Sequence, residues 1–409
     1  GKLLAQKGCL PYIDYPYFQV PNSVFIYGLI FKFTDWLLLG ARAFSVISSW
    51  TILALLFFIS SILFKRYGAG LSFIAAISSV LILLSNPVFI SASVLAWNHP
   101  FPLLAALLAF VLHVKAHGND RPGIWVFLSG FSLGIAAGTR LYYIILLIPL
   151  LLTIFAFPRI GDFKKRLKLS LNLLAGSFIA LIPSFVLLLA VPEKFIFNVF
   201  TYHAYIDKLY LTAAGRLTTL VSRAGYCVDI FFTSKPVLLT VVFFCAVIIW
   251  FAKPPGLARE KHKFEITLAL WFIVFMLINA LCLRGITFRH MFSALLPFMV
   301  LVAFYIIASL DGQSMKRIFG IFCSISIISV MFLIEEFRET KNVLSPDRWY
   351  PVTAHLCGKR MASLVGSGRV LTLAPIFPLE GGLSIYREFA TAPFAWRVGK
   401  FVKSEERAK

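Results

Sequence analysis

Long apolar runs, interrupted by short polar or basic stretches, organise most of this chain. Ten of them approach the roughly 18 to 20 residues needed to cross a bilayer. They cover about 41–63, 69–86, 99–116, 123–138, 141–157, 169–191, 235–252, 265–283, 292–310 and 317–334. No period-two alternation runs through successive ten-residue segments, which argues against an outer-membrane barrel. The pattern predicts an all-α polytopic membrane protein with about ten transmembrane helices. Runs 123–138 and 141–157 are parted only by the Gly-Thr-Arg around Thr139, so broken or tilted helices are expected there. Residues 22–33 are apolar but too short to cross, and predict a helix lying in the interface. No internal repeat stands out, and no matching pair of interrupted helices marks an inverted-repeat transporter.

Composition agrees with the pattern. Hydrophobic residues make up 59% of the 409 and charged residues 14%, against about 25% charged in a soluble domain. Mean hydropathy is +0.86. The formal net charge of +21 is dispersed between the runs, so nucleic acid is not an expected partner. Basic residues of this kind mark cytoplasmic loops and lie against anionic lipid. Alternate loops on one side carry fifteen Lys and Arg, from Lys65 and Arg66 through Lys164, Lys165 and Arg166 to Lys316 and Arg317. The short loops on the other side carry three, Arg140, Arg284 and Arg289. The positive-inside rule makes the first side cytoplasmic.

Three pieces are then external: a first loop with its interfacial helix (1–40), the loop 192–234 inside the helical domain (41–334), and a C-terminal tail (335–409). In the tail, Gly-Arg-Val-Leu-Thr-Leu reads as a strand leaving a turn. The six cysteines form no Cys-x-x-Cys pair and no metal-ligand spacing. Cys245 and Cys323 sit in apolar runs and read as small buried hydrophobes. Cys9, Cys227 and Cys357 fall in candidate external loops. The chain begins at Gly1 without methionine or leader pattern, and an N-terminal piece is expected upstream.

Ionisable groups near the hydrocarbon are costly, so each one there needs a reason. Asp14 is the lone acid of the stretch Gly8–Ser23, among Pro11, Pro16, Pro21 and the aromatics Tyr12, Tyr15, Tyr17 and Phe18. Prolines stiffen such a loop. A carboxylate held partly desolvated there can act as a base; the plainer reading is a solvated acid among interface aromatics. Asn98 and His99 precede Pro100 at an outward helix end. They either hydrogen-bond a phosphate or sugar, or simply turn a corner. Arg140 stands at an outward junction and suits phosphate, or it snorkels to headgroups. His203 and Asp207, four apart, could orient a proton carrier, but two ligands make a weak metal signal. Arg284, Arg289 and His290 could cradle a lipid phosphate or anchor the interface. No Walker, zincin, nucleophile-elbow or dinucleotide motif is present.

Gly8, Leu10, Pro11, Tyr12 and Asp14, then Pro21, then Ala41, Arg42 and Ser45 together resemble bacterial membrane glycosyltransferases of the GT-C type. These are relatives of protein O-mannosyltransferases and aminoarabinose-lipid A transferases (glycosyltransferase family 39-like). The segments FSLGIAAGTRLYYIILLIPLLL and FRHMFSALLPFMVLVAF are similar to a glycine-rich span and a late span of that family. The resemblance implies a bacterial inner-membrane enzyme with a polyprenyl-phosphate sugar donor, a lipid or protein acceptor on the outer face, and inversion at the sugar. It implies Asp14 as catalytic base, with Tyr12, Asn98, His99, Arg140, His203, Arg289 and His290 as substrate-binding candidates. No cofactor is required, and a divalent cation stays open. Two departures matter. The family carries a span and an Asp-Glu pair ahead of the point where this chain begins, so Asp14 could be a second, supporting acid. The family's acid in the second external loop is replaced here by Trp97-Asn98-His99-Pro100. A lipid-linked glycan polymerase or ligase, a secondary transporter and a non-catalytic membrane subunit remain as rival readings.

Overall fold

The structure, a computed structural model, describes residues 1–96, 98–157, 162–206, 219–232, 237–252, 262–282, 289–310, 315–338, 343–392, 394 and 397. The helices are α1 Lys2–Lys7, α2 Asn22–Ile30, α3 Leu37–Phe64, α4 Ala69–Leu84, α5 Pro87–Val94, α6 Pro100–His117, α7 Pro122–Thr139, α8 Leu147–Ala156, α9 Phe163–Ala180, α10 Ile182–Ala190 and α11 Pro192–Ile196. After them come α12 Leu220–Phe232, α13 Val237–Ala252, α14 Lys263–Leu281, α15 Leu296–Ala308, α16 Met315–Arg338, α17 Tyr350–Val365 and α18 Ile376–Glu380.

Among the described residues six helices are long and apolar enough to cross a membrane, Leu37–Tyr67, Pro100–His117, Pro122–Thr139, Lys263–Leu281, Arg289–Ala308 and Arg317–Glu335. Counting each of three bent pairs as one span raises the number to at most nine: α4 with α5 at 75°, α9 with α10 at 60°, and α12 with α13 at 102°. Leu141–Ala156 is a shorter apolar helix. Each of the ten predicted runs falls on one of these segments. The molecule is an all-α polytopic membrane protein.

Two of the bends, at Asn86 and between α12 and α13, lie at the edges of the runs 69–86 and 235–252, while the one between α9 and α10 falls inside 169–191 and corrects the expectation of an uninterrupted run. At the first, Asn86 accepts hydrogen bonds from the backbone N–H of Val88 (3.0 Å) and Phe89 (3.4 Å), and Pro87 opens α5. An Asn cap followed by proline starts a new helix in a new direction. This break follows 16 helical residues and the one after α9 follows 18, about 24 and 27 Å of rise. The Gly-Thr-Arg break is also real. α7 ends at Thr139, Arg140 is extended, and a 3₁₀ stretch Leu141–Leu146 leads into α8.

α15 is the axis of the bundle. All thirteen of its residues are buried, as befits a helix that is apolar on every side. Phe298 packs on Phe110 of α6 and Phe272 of α14, with ring centroids 5.8 and 5.0 Å apart. Phe304 meets Phe64 of α3 and Phe322 of α16 at 6.4 and 5.1 Å. Beside this core, α7 and α9 approach backbone to backbone. A Cβ on Gly130 would lie 2.0 Å from the carbonyl oxygen of Leu173, and one on Gly176 2.1 Å from that of Phe127. Ser177 Oγ donates to the Gly130 carbonyl at 2.9 Å. Small residues permit this contact, which membrane helices use in place of hydrophobic burial.

The loop 192–234 is helical where described: α10 runs on through α11 to residue 206, and α12 sends Ile230 and Phe231 into the core. The tail is folded as well. α17 packs on α18, where a Cβ on Gly358 would lie 2.4 Å from the Phe377 carbonyl oxygen. Strands β1 (Arg369–Val370) and β2 (Ser384–Ile385) pair in parallel, so the expected strand is two residues long. All six cysteines are free. Cys245 is exposed on the outer surface of α13, not buried as its apolar neighbours led one to expect.

Candidate functional site

The loop after α1 is the hub of one end of the bundle. Gly8 ends α1 in the left-handed conformation (φ 64°), the usual stop signal of a helix. The chain then closes on itself. Tyr12 N–H donates to the Tyr15 carbonyl (2.9 Å) and Asp14 N–H to the Leu10 carbonyl (3.0 Å). Asp14 Oδ2 accepts the Leu10 N–H at 2.7 Å. Tyr12 itself takes a positive φ of 65°, a conformation rarely adopted by a bulky residue.

A chain of polar contacts links this loop to the helix ends. Tyr12 OH donates to the Gln19 carbonyl. The Gln19 side-chain oxygen accepts from Asn98 Nδ2. Asn98 Oδ1 accepts from Arg140 Nε (2.8 Å) and from Arg140 Nη2, and the Asn98 carbonyl also accepts from Nε (3.0 Å). Tyr17 OH shares a 2.8 Å hydrogen bond with Ser23. Burial pushes the Tyr17 phenol up, opposed by the Ser23 bond and the Arg140 charge. Burial, with the neighbouring Tyr17 and Tyr15, raises Tyr12 too. Both phenols therefore remain neutral and able to donate. A narrow recess of about 10 Å³ between Ser23, Tyr27, Phe44, Asn98, Phe101 and Thr139 has room for about one water.

Gln19 was not flagged from sequence. A neutral amide between Phe18 and Val20 carries no motif, and only the fold brings it to Asn98. Of the flagged residues, Tyr12, Asn98 and Arg140 form one connected group. His99 is buried, and its ring lies 4.4 Å from that of His290, because α5 packs against the 3₁₀ turn Arg289–Ala294. Arg289 beside it is exposed. His203 is exposed and donates from Nε2 to the Phe18 carbonyl at 2.6 Å, so it braces the loop one residue before Gln19. Trp97, Asp207 and Arg284 lie outside the described residues. Among those described, no three His, Cys, Asp or Glu side chains converge as metal ligands.

Asp14 points to the other side of the hub. Its Oδ1 is 3.5 Å from Arg387 Nη1 in the tail. Around it Leu3, Cys9, Tyr15 and Ile385 form a small core shared by loop and tail. Lys7 donates to Ser384 Oγ at 2.8 Å. Behind this, Glu380 is fully buried. One oxygen accepts the Leu38 N–H at the start of α3 (2.7 Å), and the other accepts from His355 Nδ1 (2.8 Å). The His355 ring is stacked on Trp36 at 3.9 Å. Sequence reading missed this pair, 25 residues apart in the tail, because the helix start that it holds, at Trp36 and Leu38, lies more than 300 residues away.

No protein-family model matches the sequence, and no curated protein matches it. The fold is similar to that of a solved structure. It is ArnT from Cupriavidus metallidurans bound to undecaprenyl phosphate. The likeness has a TM-score of 0.53 at 15% identity and covers 96% of this chain and 69% of ArnT. At that identity the likeness shows the fold.

Proposed function

We propose that the chain is a GT-C-type membrane glycosyltransferase, moving a sugar from a polyprenyl-phosphate carrier to an acceptor on the outer face of the inner membrane. The observation that carries this reading is a fold shared over nearly the whole chain with a protein solved with undecaprenyl phosphate. The polar hub at one end of the bundle supports it.

In this reading Asp14 is the base. It is the lone acid of the loop Gly8–Ser23, with one oxygen on the Leu10 N–H (2.7 Å) and the other facing Arg387. Glu380 is buried with both oxygens bound, and Asp35 is held 2.7 Å from Lys2. Asp14 is about one third exposed, and its 3.5 Å contact with Arg387 is longer than a normal hydrogen bond. The carboxylate takes the proton of the acceptor hydroxyl. That oxygen attacks the anomeric carbon, and the bond from this carbon to the phosphate oxygen breaks with its electron pair leaving on the lipid phosphate. Arg140, fixed by Asn98, stabilises the leaving charge, with Arg289 as a second cation. Fixed donors aimed at developing charge are a large term in catalysis. General base work is typically worth 10²- to 10⁴-fold.

Two measurements test this. Purified protein in nanodiscs is expected to bind undecaprenyl phosphate, with Arg140→Ala weakening binding at least tenfold. Transfer from an extract of polyprenyl-linked sugars is expected to fall at least tenfold in Asp14→Asn while lipid binding is kept. No binding by the unaltered chain would overturn the carrier assignment. Unchanged transfer in Asp14→Asn would remove Asp14 as base and leave it a loop-closing residue.

A further inference from the structure

We propose that the tail helix α17 and the turn before it lie on the bilayer surface and bind anionic phospholipid headgroups through Arg348, Lys359 and Arg360. The height of this helix comes from α3. The continuous helix Leu37–Tyr67 has 31 residues, about 46 Å at 1.5 Å per residue. The hydrocarbon core is about 30 Å thick, so about 8 Å of this helix lies among the headgroups at each end. Arg42 stands five residues, about 7.5 Å, inside the first end, at the boundary between headgroups and chains. α17 packs at that level. The Tyr350 ring lies 5.7 Å from the Arg42 guanidinium, and His355 is stacked on Trp36 one residue before α3.

The face α17 turns away from the protein has the chemistry of an interface. Pro351, Ala354, His355 and Gly358 are its buried side. Opposite them, Leu356 and Leu364 are 57% and 79% exposed, interleaved with exposed Lys359 and Arg360. Trp349 and Tyr350 open the helix half-exposed, and Leu344 before them is 94% exposed. Trp and Tyr concentrate at headgroup level, and an amphipathic helix with cations beside its apolar face lies in that plane. Residues 350–365 contain no acid; the nearby carboxylates are Asp347 in the turn and Asp35, which feels the Lys359 charge and is paired with Lys2, so the three cations leave the face net positive and complementary to an anionic leaflet. The chain also has no room to go elsewhere. Val343 follows the end of α16 at Arg338 by five residues, within about 18 Å of a membrane-crossing helix. Water is disfavoured as the occupant by the leucines. A partner protein is disfavoured by the level at which the helix sits.

The test is photo-crosslinking of the full chain in nanodiscs of mixed neutral and anionic phospholipid. Leu356→p-benzoylphenylalanine is expected to yield protein–phospholipid adducts, at least twofold richer in the anionic lipid than the nanodisc. Adding Lys359→Glu and Arg360→Glu is expected to return the ratio to that of the bilayer. A second reading needs no unnatural residue: phospholipids brominated near the headgroup should quench Trp349, as the difference between unaltered protein and Trp349→Phe. Adducts to a second copy of the chain, or no lipid adduct together with no quenching of Trp349, would overturn the surface assignment. Lipid adducts without anionic enrichment would overturn the headgroup assignment.

Discussion

Asn98 is the residue on which the site turns, because one amide serves two masters. Its oxygen takes two bonds from Arg140 and its nitrogen gives one to Gln19. Replacement by Leu keeps the volume and removes the side-chain partners, leaving Arg140 only the main-chain carbonyl of that position. Leaving a charged donor without its acceptor costs about 1–3 kcal/mol, more where the charge is buried. Asn98→Leu is therefore expected to lower the thermal unfolding midpoint in detergent by several degrees. Asn98→Asp separates stability from function. It keeps the acceptor for Arg140 and adds a fixed negative charge, so the fold is expected to survive. That charge also neutralises the cation proposed to meet the leaving phosphate, and sugar transfer is expected to fall at least tenfold. Equal activity in Asn98→Asp and the unaltered protein would take Arg140 out of the reaction.

At the scale of elements, the contact of α7 with α9 is set by backbone proximity rather than side-chain size. Gly130→Ala would place a methyl 2.0 Å from the Leu173 carbonyl oxygen. The helices must part, and overpacking of this kind costs about 1–3 kcal/mol. Gly70, near the start of α4, has nothing within 4 Å of an added Cβ. Gly70→Ala is expected to be neutral or stabilising by about 0.4–1 kcal/mol, through the unfolded chain. Thermal unfolding of the two variants side by side checks the claim; a loss of equal size in both would refute it. The crossings themselves were legible in the sequence, because bilayer thickness imposes a length that an apolar run displays directly. The Arg140 break was legible too, since a cation between two apolar runs has to face out. The bend between α9 and α10 was not, because Leu181 leaves the apolar run 169–191 unbroken. Within the candidate site, sequence reading named Tyr12 through the family resemblance and Asn98 and Arg140 through their chemistry, and the fold links the three through Gln19 and Asn98. The same reading missed Gln19, whose role comes from a neighbour 79 residues away.

At the scale of the whole molecule, the tail and the first loop form one structure, although they stand at opposite ends of the chain. Glu380 fastens them to the bundle. Its carboxylate caps the first turn of α3, where the helix dipole favours negative charge, and holds His355 against Trp36. Arg387 lies seven residues further on and reaches Asp14. The geometry of Asp14 thus depends on an anchor it does not touch. Glu380→Leu removes the cap and leaves His355 without its carboxylate, whereas Glu380→Gln keeps an oxygen for the Leu38 N–H. Hydrogen exchange over residues 350–390 is expected to rise at least tenfold in Glu380→Leu and much less in Glu380→Gln. If Asp14 works only when the tail holds its loop, transfer should fall in step with exchange across these variants and Arg387→Gln. Faster exchange with transfer intact would show that the tail anchors to the bundle without serving the reaction. The loop around Asp14 would then keep its shape from its own hydrogen bonds to Leu10 and Tyr15.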